Sequence, residues 1–170
     1  MAYAFDTLAY AKRLRDAGIP TAQAEAHAEA AREFIMAEIK GRCRCGKVSY
    51  ASSADPVFVG VCHCKTCQKS TGSAYATVLA VPTASLTVTG ATTRFDDVGD
   101  TGSATHREFC PACGSTVTQS ADVMAGLTMV PVGTLDDPAA VKPAMQIYCD
   151  SAMPWAPLGG EVASFPKMPG

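Results

Sequence analysis

Cysteine is the residue type of this 170-residue sequence that is best placed to do chemistry, and all eight cysteines lie between Cys43 and Cys149. Seven of them fall into three tight groups: Cys43-x-Cys45, Cys62-His63-Cys64-x-x-Cys67 and Cys110-x-x-Cys113. The first residues do not combine a basic stretch with an unbroken apolar run, so we expect no secretory signal and a cytoplasmic location. In a reducing compartment, clustered cysteines are more often metal ligands or catalytic groups than disulfides.

The first and third groups are typical of the two halves of a closed metal site. Each precedes a glycine and a predicted strand, in CRCGKVSY and in FCPACGS. Turns of this kind direct two thiolates and backbone N–H groups toward one point, and two such turns can complete a tetrahedral zinc. A redox dithiol at Cys110 and Cys113 is the alternative, but no predicted helix follows to lower a thiol pKa. We therefore expect one structural zinc on four ligands: Cys43, Cys45, Cys110 and Cys113.

The middle group offers three thiols within six residues: Cys62, Cys64 and Cys67. Structural zinc has four protein ligands, whereas catalytic zinc commonly has three and keeps its fourth position open. The alternative is that His63 supplies the fourth ligand of a closed site. Adjacent residues of an extended segment point to opposite sides, so we expect the His63 ring to face away from its two neighbours. These three cysteines are our candidate catalytic residues and the ligands of a second zinc.

The elements that must position these groups are predicted to be mainly β. From residue 41 onward, short runs rich in valine, threonine and aromatic residues alternate with turn residues, which predicts an all-β domain. The predicted strands are KVSYA, VFVGV, ATVLAV, SLTVT, TTRFDD, THREF, STVTQ, LTMVPV and MQIYC. Cys149 lies alone on the last of them, where we expect a small buried hydrophobe without a role. His106 is either a partner of a metal ligand or a surface histidine.

Residues 1–40 differ sharply in composition and predict an α-helical hairpin. Helical spacing predicts one helix from Phe5 to Ala17, ended by Gly18, and another from Ala22 to Ile39, with Thr21 as its N-cap. His27 is expected to face solvent. Two such helices cannot form a core alone, so we expect them to dock or to form a homo-oligomer. The predicted domains are 1–40 and 41–170.

The charge balance excludes some classes of partner. Fourteen basic and sixteen acidic residues give a formal charge of -2, and nucleic-acid-binding domains usually show a basic excess. No apolar stretch approaches the roughly 18 residues that span a bilayer. We therefore expect neither a nucleic acid nor a membrane as partner.

The cysteine motifs, in the order GRCRCGKVSY, VCHCKTCQKSTGSAY, REFCPACGS and VGTLDDP, with a late Trp155, resemble the glutathione-dependent formaldehyde-activating enzyme family. Centromere protein V belongs to the same superfamily. The resemblance extends over about residues 41–155. It implies a zinc-stabilised complex β fold similar to that of methionine-R-sulfoxide reductases. It also implies the same division into a structural zinc on four cysteines and a catalytic zinc on Cys62, Cys64 and Cys67.

The function that the resemblance implies is carbon–sulfur lyase chemistry, in which S-(hydroxymethyl)glutathione forms from, or splits into, glutathione and formaldehyde. Glutathione is then the co-substrate, and the partner is a small thiol adduct or an aldehyde. The polar residues after the ligands are candidates to orient the carboxylates of that substrate, or else form a solvated loop: Lys65, Thr66, Gln68, Lys69, Ser70 and Thr71.

Two other functions remain open at this point. One is a non-catalytic zinc-binding interaction module. The other is a sulfoxide reductase, which would need a free reactive thiol, and Cys149 is the only unassigned cysteine. The N-terminal segment FDTLAYAKRLRDAGIPTAQAEAHAEA resembles the start of a coiled-coil family related to the mitochondrial calcium-uniporter regulator. That resemblance implies docking or oligomerisation and no chemistry.

Overall fold

The computed structural model describes residues 7–35, 39–99, 101–156, 158 and 162–169. The chain divides into two compact units, Met1–Glu38 and Ile39–Gly170. Among the described residues, no helix is long and apolar enough to cross a membrane.

The first unit contains two helices that contact each other, α1 (Thr7–Asp16) and α2 (Thr21–Ile35). Among the described residues of this unit, the buried positions are the alanines Ala11, Ala24 and Ala28, and alanine lets helices approach closely. Gly18 ends the first helix with a φ of 90°, a conformation that glycine adopts without steric cost. The role of this unit in docking or self-association stays a prediction.

The first helix ends at Asp16 rather than at the predicted Ala17, and the second differs from the prediction at both ends. Phe5 lies outside the described residues. The second helix does not extend to Ile39, because strand β1 begins at that residue. Thr21 is already inside the helix, since the carbonyl oxygen of Pro20 accepts the first helical hydrogen bond, from Ala24 N–H at 2.9 Å. The second helix therefore begins one residue before the predicted Ala22, because sequence signals define a helix end only to within one or two residues.

The second unit is mainly β, which confirms the predicted fold class. Its described residues form one α-helix and eleven strands: β1 (Ile39–Arg42), β2 (Ser49–Ser52), β3 (Phe58–Cys62), α3 (Lys65–Thr71), β4 (Ala76–Pro82), β5 (Leu86–Thr89), β6 (Thr93–Val98), β7 (Ala104–Phe109), β8 (Thr116–Ala121), β9 (Leu127–Pro131), β10 (Met145–Ile147) and β11 (Ala163–Ser164). All nine predicted strands overlap an observed one. The prediction missed β1, β11 and α3.

The strands form two sheets. A three-stranded antiparallel sheet has the order β1-β2-β5, and an eight-stranded sheet has the order β11-β10-β3-β4-β9-β8-β7-β6. Pairing in the large sheet is antiparallel except at one edge, where β10 lies parallel to both β3 and β11. The parallel edge brings residues near the end of the chain beside the strand that carries Cys62.

The main core lies between the two sheets. It combines Tyr50 of the small sheet with Leu79 and Val130 of the large one, all almost fully buried. Successive residues of a strand face opposite sides, so the neighbouring Ala80 and Met129 face away from this core. They form a second apolar cluster that includes Cys67 of α3. The large sheet therefore has two covered faces, and the helix bearing a candidate ligand belongs to the second.

Candidate metal centres

Two turns build the first candidate centre, which we call the four-thiol group: Cys43, Cys45, Cys110 and Cys113. In one turn, Gly46 N–H donates to the carbonyl oxygen of Cys43 at 3.0 Å, and in the other Gly114 N–H donates to that of Cys110 at 2.8 Å. Both glycines have positive φ, 75° and 72°, which side chains rarely adopt. The turns are linked by a hydrogen bond from the backbone N–H of residue 44 to Ser115 Oγ at 3.2 Å.

The four sulfurs have the spacing of a tetrahedral zinc site. All lie within 4.8 Å of one another, with Cys45 Sγ 3.5 Å from Cys43 Sγ and 3.7 Å from Cys110 Sγ. Zn–S bonds of about 2.3 Å in a regular tetrahedron place the sulfurs about 3.8 Å apart. Two of the four, Cys43 and Cys110, are fully buried. The donor set fits a closed structural zinc.

Hydrogen bonds favour the thiolate form at two of these four cysteines, Cys43 and Cys113. The backbone N–H of Val48 donates to Cys43 Sγ at 3.3 Å. The contact of Cys113 with Ser115 lowers the pKa of the Cys113 thiol to about 5. Donors aimed at a sulfur stabilise its anion, which is the form that binds metal.

The second candidate centre, the three-thiol group, consists of Cys62, Cys64 and Cys67. Cys62 ends β3, Cys64 caps the N-terminus of α3, and Cys67 lies in its first turn. The side chain of Cys64 accepts a hydrogen bond from Cys67 N–H at 3.3 Å. These sulfurs also lie within 4.8 Å of one another, and no histidine, aspartate or glutamate of the described residues joins them.

The protonation preferences of the three-thiol group fit a cation site. Hydrogen bonds with Cys62 and Cys67 lower the pKa of the Cys64 thiol to about 2. The contact with Cys64 raises the pKa of Cys62 to about 12, and the contact with Cys62 raises that of Cys67. Three anionic sulfurs so close together repel each other, so one thiolate shares the protons of two neighbours. A divalent cation can replace those protons and stabilise all three thiolates. The donor set therefore fits zinc here as well.

His63 does not complete the three-thiol group, because its side chain lies on the opposite face of the sheet. Cys62 pairs with Ala76, which faces the second apolar cluster with Cys67. The His63 ring instead contacts β10, where its Nε2 lies 3.1 Å from Oε1 of Gln146. The prediction that this ring faces away from its neighbours agrees with the geometry, and the fourth position is left without a ligand from the described residues.

Most polar residues that follow the ligands are occupied within the protein. Gln68 is buried, and the hydroxyl groups of Ser70 and Thr71 donate to the carbonyl oxygen of Cys67 at 3.1 and 2.8 Å. Lys65 Nζ donates to Gln68 Oε1 at 3.2 Å. These residues thus form the helix α3 and not a solvated loop, and the Ser70 and Thr71 hydroxyl groups bond within that helix. Sequence reasoning missed this helix because its seven residues carry too few apolar positions to show a period.

Two other residues lie away from both centres. The ring nitrogens of His106 contact Asp96 Oδ1 at 2.6 Å and Asp122 Oδ1 at 3.4 Å, so it is not the partner of a cysteine ligand. Cys149 is not on a strand: β10 ends at Ile147, and Cys149 begins a 3₁₀ turn ending at Ser151. The change follows from Tyr148, whose φ of 57° cannot continue a strand. His27 is exposed, as expected.

Comparison with known proteins identifies a family and a structural neighbour. A family model described as glutathione-dependent formaldehyde-activating enzyme matches residues 38–151. No curated protein sequence matches the chain. The crystal structure of a Rhodobacter sphaeroides protein is similar with a TM-score of 0.48 and 23% identity, over 62% of this chain and 92% of that one.

Proposed function

This chain belongs to the glutathione-dependent formaldehyde-activating enzyme family, and we propose that it is a zinc-dependent carbon–sulfur lyase. Its substrates are the adducts that glutathione, or another thiol, forms with formaldehyde or another aldehyde. The observation that carries this proposal is the difference between the two groups of cysteines. One has the four ligands of a closed site, and the other brings three thiols together with no fourth ligand from the described residues.

In the proposal each group holds one zinc ion. The four-thiol group holds a structural zinc that joins the turn after β1 to the turn after β7. The three-thiol group holds a catalytic zinc through Cys62, Cys64 and Cys67. When bound there, zinc supplies an open position at which a thiol loses its proton outright. Three thiolates make the centre anionic, which favours thiol chemistry over the generation of hydroxide.

The reaction requires no other reactant. In the forming direction the thiol gives up its proton, and its sulfur attacks the aldehyde carbon to form the C–S bond. The π-electron pair of the carbonyl moves to oxygen, which takes up the proton and becomes the hydroxyl group of the adduct. The lyase direction reverses each step, with the sulfur leaving as a thiolate.

The chain's own contribution is to hold the three sulfurs and to bind the substrate. The buried part of the site lies against the second apolar cluster, where Cys67 contacts small and apolar side chains. Lys69 is exposed on α3, two residues after the last ligand, and can attract a substrate carboxylate. Such binding would favour an anionic thiol such as glutathione.

The test measures how fast the thiol and its adduct interconvert rather than how much adduct forms, because thiols and formaldehyde also combine without a catalyst. Exchange NMR on an equilibrium mixture of glutathione, formaldehyde and their adduct measures the interconversion rate. We expect the protein to accelerate it and the Cys64→Ser variant to lose both the acceleration and one zinc per chain. Cys149→Ser is the matched control and should keep both.

Two outcomes would contradict the proposal. Full acceleration by Cys64→Ser with one zinc missing would remove the three-thiol group from the reaction. No acceleration by the wild-type protein with two zinc ions bound, for glutathione and for other small thiols, would favour the non-catalytic zinc-binding interaction module.

A further inference from the structure

We infer that Gln68 is a positioning residue for the three-thiol site, which it holds together by joining the ligand segment, the helix α3 and the 3₁₀ turn Cys149–Ser151. This inference rests on the proposal that the three-thiol group holds a metal ion. It assigns a role to a side chain that donates no ligand and is absent from the apolar clusters.

Every polar atom of the Gln68 side chain has a partner. The amide Nε2 donates to the carbonyl oxygen of His63 at 2.8 Å and to that of Ser151 at 2.9 Å. The Oε1 accepts from Lys65 Nζ at 3.2 Å. The residue is 7% exposed, and buried amides that lose their partners are costly. The side chain is therefore fixed, and it holds the two backbone carbonyl groups and the Lys65 ammonium group that it contacts.

The contact with His63 matters because this residue lies between two ligands, Cys62 and Cys64. Its backbone N–H donates to the carbonyl oxygen of Ile147 at 3.0 Å, and its ring contacts Gln146. The carbonyl oxygen held by Gln68 is the third attachment. Together they set the direction in which the chain leaves β3, and so the distance between the sulfurs on either side.

The contact with Ser151 fastens a strained turn to the site. Tyr148 precedes this turn in the left-handed conformation, with φ of 57°, which is unfavourable for a residue other than glycine. Lys65 Nζ also donates to the Ser151 carbonyl, at 3.3 Å. The turn is thus tied to the first residues of α3, directly after Cys64, by two side chains of that helix.

The experiment measures metal affinity at the two centres separately, on the full chain. Cobalt(II) titration reports thiolate coordination by its charge-transfer and d–d absorption, and the signal that vanishes in Cys64→Ser belongs to the three-thiol group. Gln68→Met keeps the length of the side chain but removes both donors. Gln68→Glu keeps its shape and places a carboxylate against two carbonyl oxygens.

We expect both variants to bind cobalt at the three-thiol group about 10–100-fold more weakly, which is the usual cost of removing a partner that orients ligands. The four-thiol group should bind as in the wild type, and so serves as an internal control. Gln119→Met makes the same chemical change on β8 and should leave both affinities unchanged.

Three results would overturn the inference. If the wild type binds a single cobalt, the three-thiol group is not a metal site, and the proposed catalytic zinc fails with it. If the wild type binds two and the Gln68 variants bind both equally well, only the positioning role fails. If a Gln68 variant loses affinity equally at both groups, Gln68 acts on the whole fold and not on this site.

Discussion

Cys45 Sγ lies 3.7 Å from Cys110 Sγ, although 65 positions separate them in the chain. The two turns that carry them come from different sheets, since one follows β1 of the small sheet and the other follows β7 of the large one. A metal bound here would therefore cross-link the two layers on either side of the main core.

The four-thiol group should be required for stability. We expect Cys110→Ser to lose the structural zinc and to lower the free energy of unfolding by about 4 kcal/mol or more, because loss of a metal is among the most damaging changes. Zinc content and thermal unfolding test this. Cys149→Ser, at a half-buried position outside both groups, should change stability little. A Cys110→Ser protein with full zinc and unchanged stability would contradict the structural role.

The two centres should release zinc in a fixed order. A graded chelator should remove the zinc of the three-thiol group first, because three protein ligands hold a metal less firmly than four. Circular dichroism should stay constant during this first step and change during the second, when the sheets lose their cross-link. Simultaneous loss of both ions with unfolding would show that the two sites do not differ in this way.

Gly41 should not tolerate a side chain. A Cβ there would overlap the Tyr50 hydroxyl group and the carbonyl oxygen of Thr134, and overpacking of this kind costs about 1–3 kcal/mol. We expect Gly41→Ala to lower stability by that amount in urea unfolding. Gly133→Ala is the control, because a Cβ at Gly133 meets no atom within 4 Å. Equal effects of the two substitutions would refute the steric explanation.

Tyr50 should make stability depend on pH in the alkaline range. Burial raises the pKa of this phenol from 10.0 to about 12. The stabilisation that follows from this raised pKa is fully present below pH 10, where the phenol is neutral in both the folded and the unfolded state. It is lost between about pH 10 and 12, because the unfolded chain ionises first.

The Tyr50→Phe variant separates this effect from other alkaline titrations. We expect it to lose about 1 kcal/mol at neutral pH, from the 2.7 Å hydrogen bond between Tyr50 and Thr134. Over the alkaline range, its free energy of unfolding should then fall by about 2–3 kcal/mol less than that of the wild type. Thr134→Val, which keeps the buried phenol, should retain the steep fall. Parallel curves for the wild type and Tyr50→Phe would disprove the assignment.

The mainly β class could be predicted because valine and threonine runs alternate with turn residues along the chain. Short elements escaped the prediction for a physical reason. The helix α3 has seven residues, and β11 has two, so neither is long enough to show a hydrophobic period. Each is stabilised by contacts with distant residues, such as the pairing of Gln146 with Ser164 across β10 and β11.

Covalent spacing alone determined which cysteines of one turn can converge, such as Cys110 and Cys113, and that His63 would point away from Cys62 and Cys64. These are properties of a few consecutive residues and follow from local backbone geometry. Only the tertiary structure decided that the two distant turns meet, because that depends on sheet order and register. The contact of the Gln68 amide with Ser151 also depends on the tertiary structure, because the parallel strand β10 brings Ser151 beside α3.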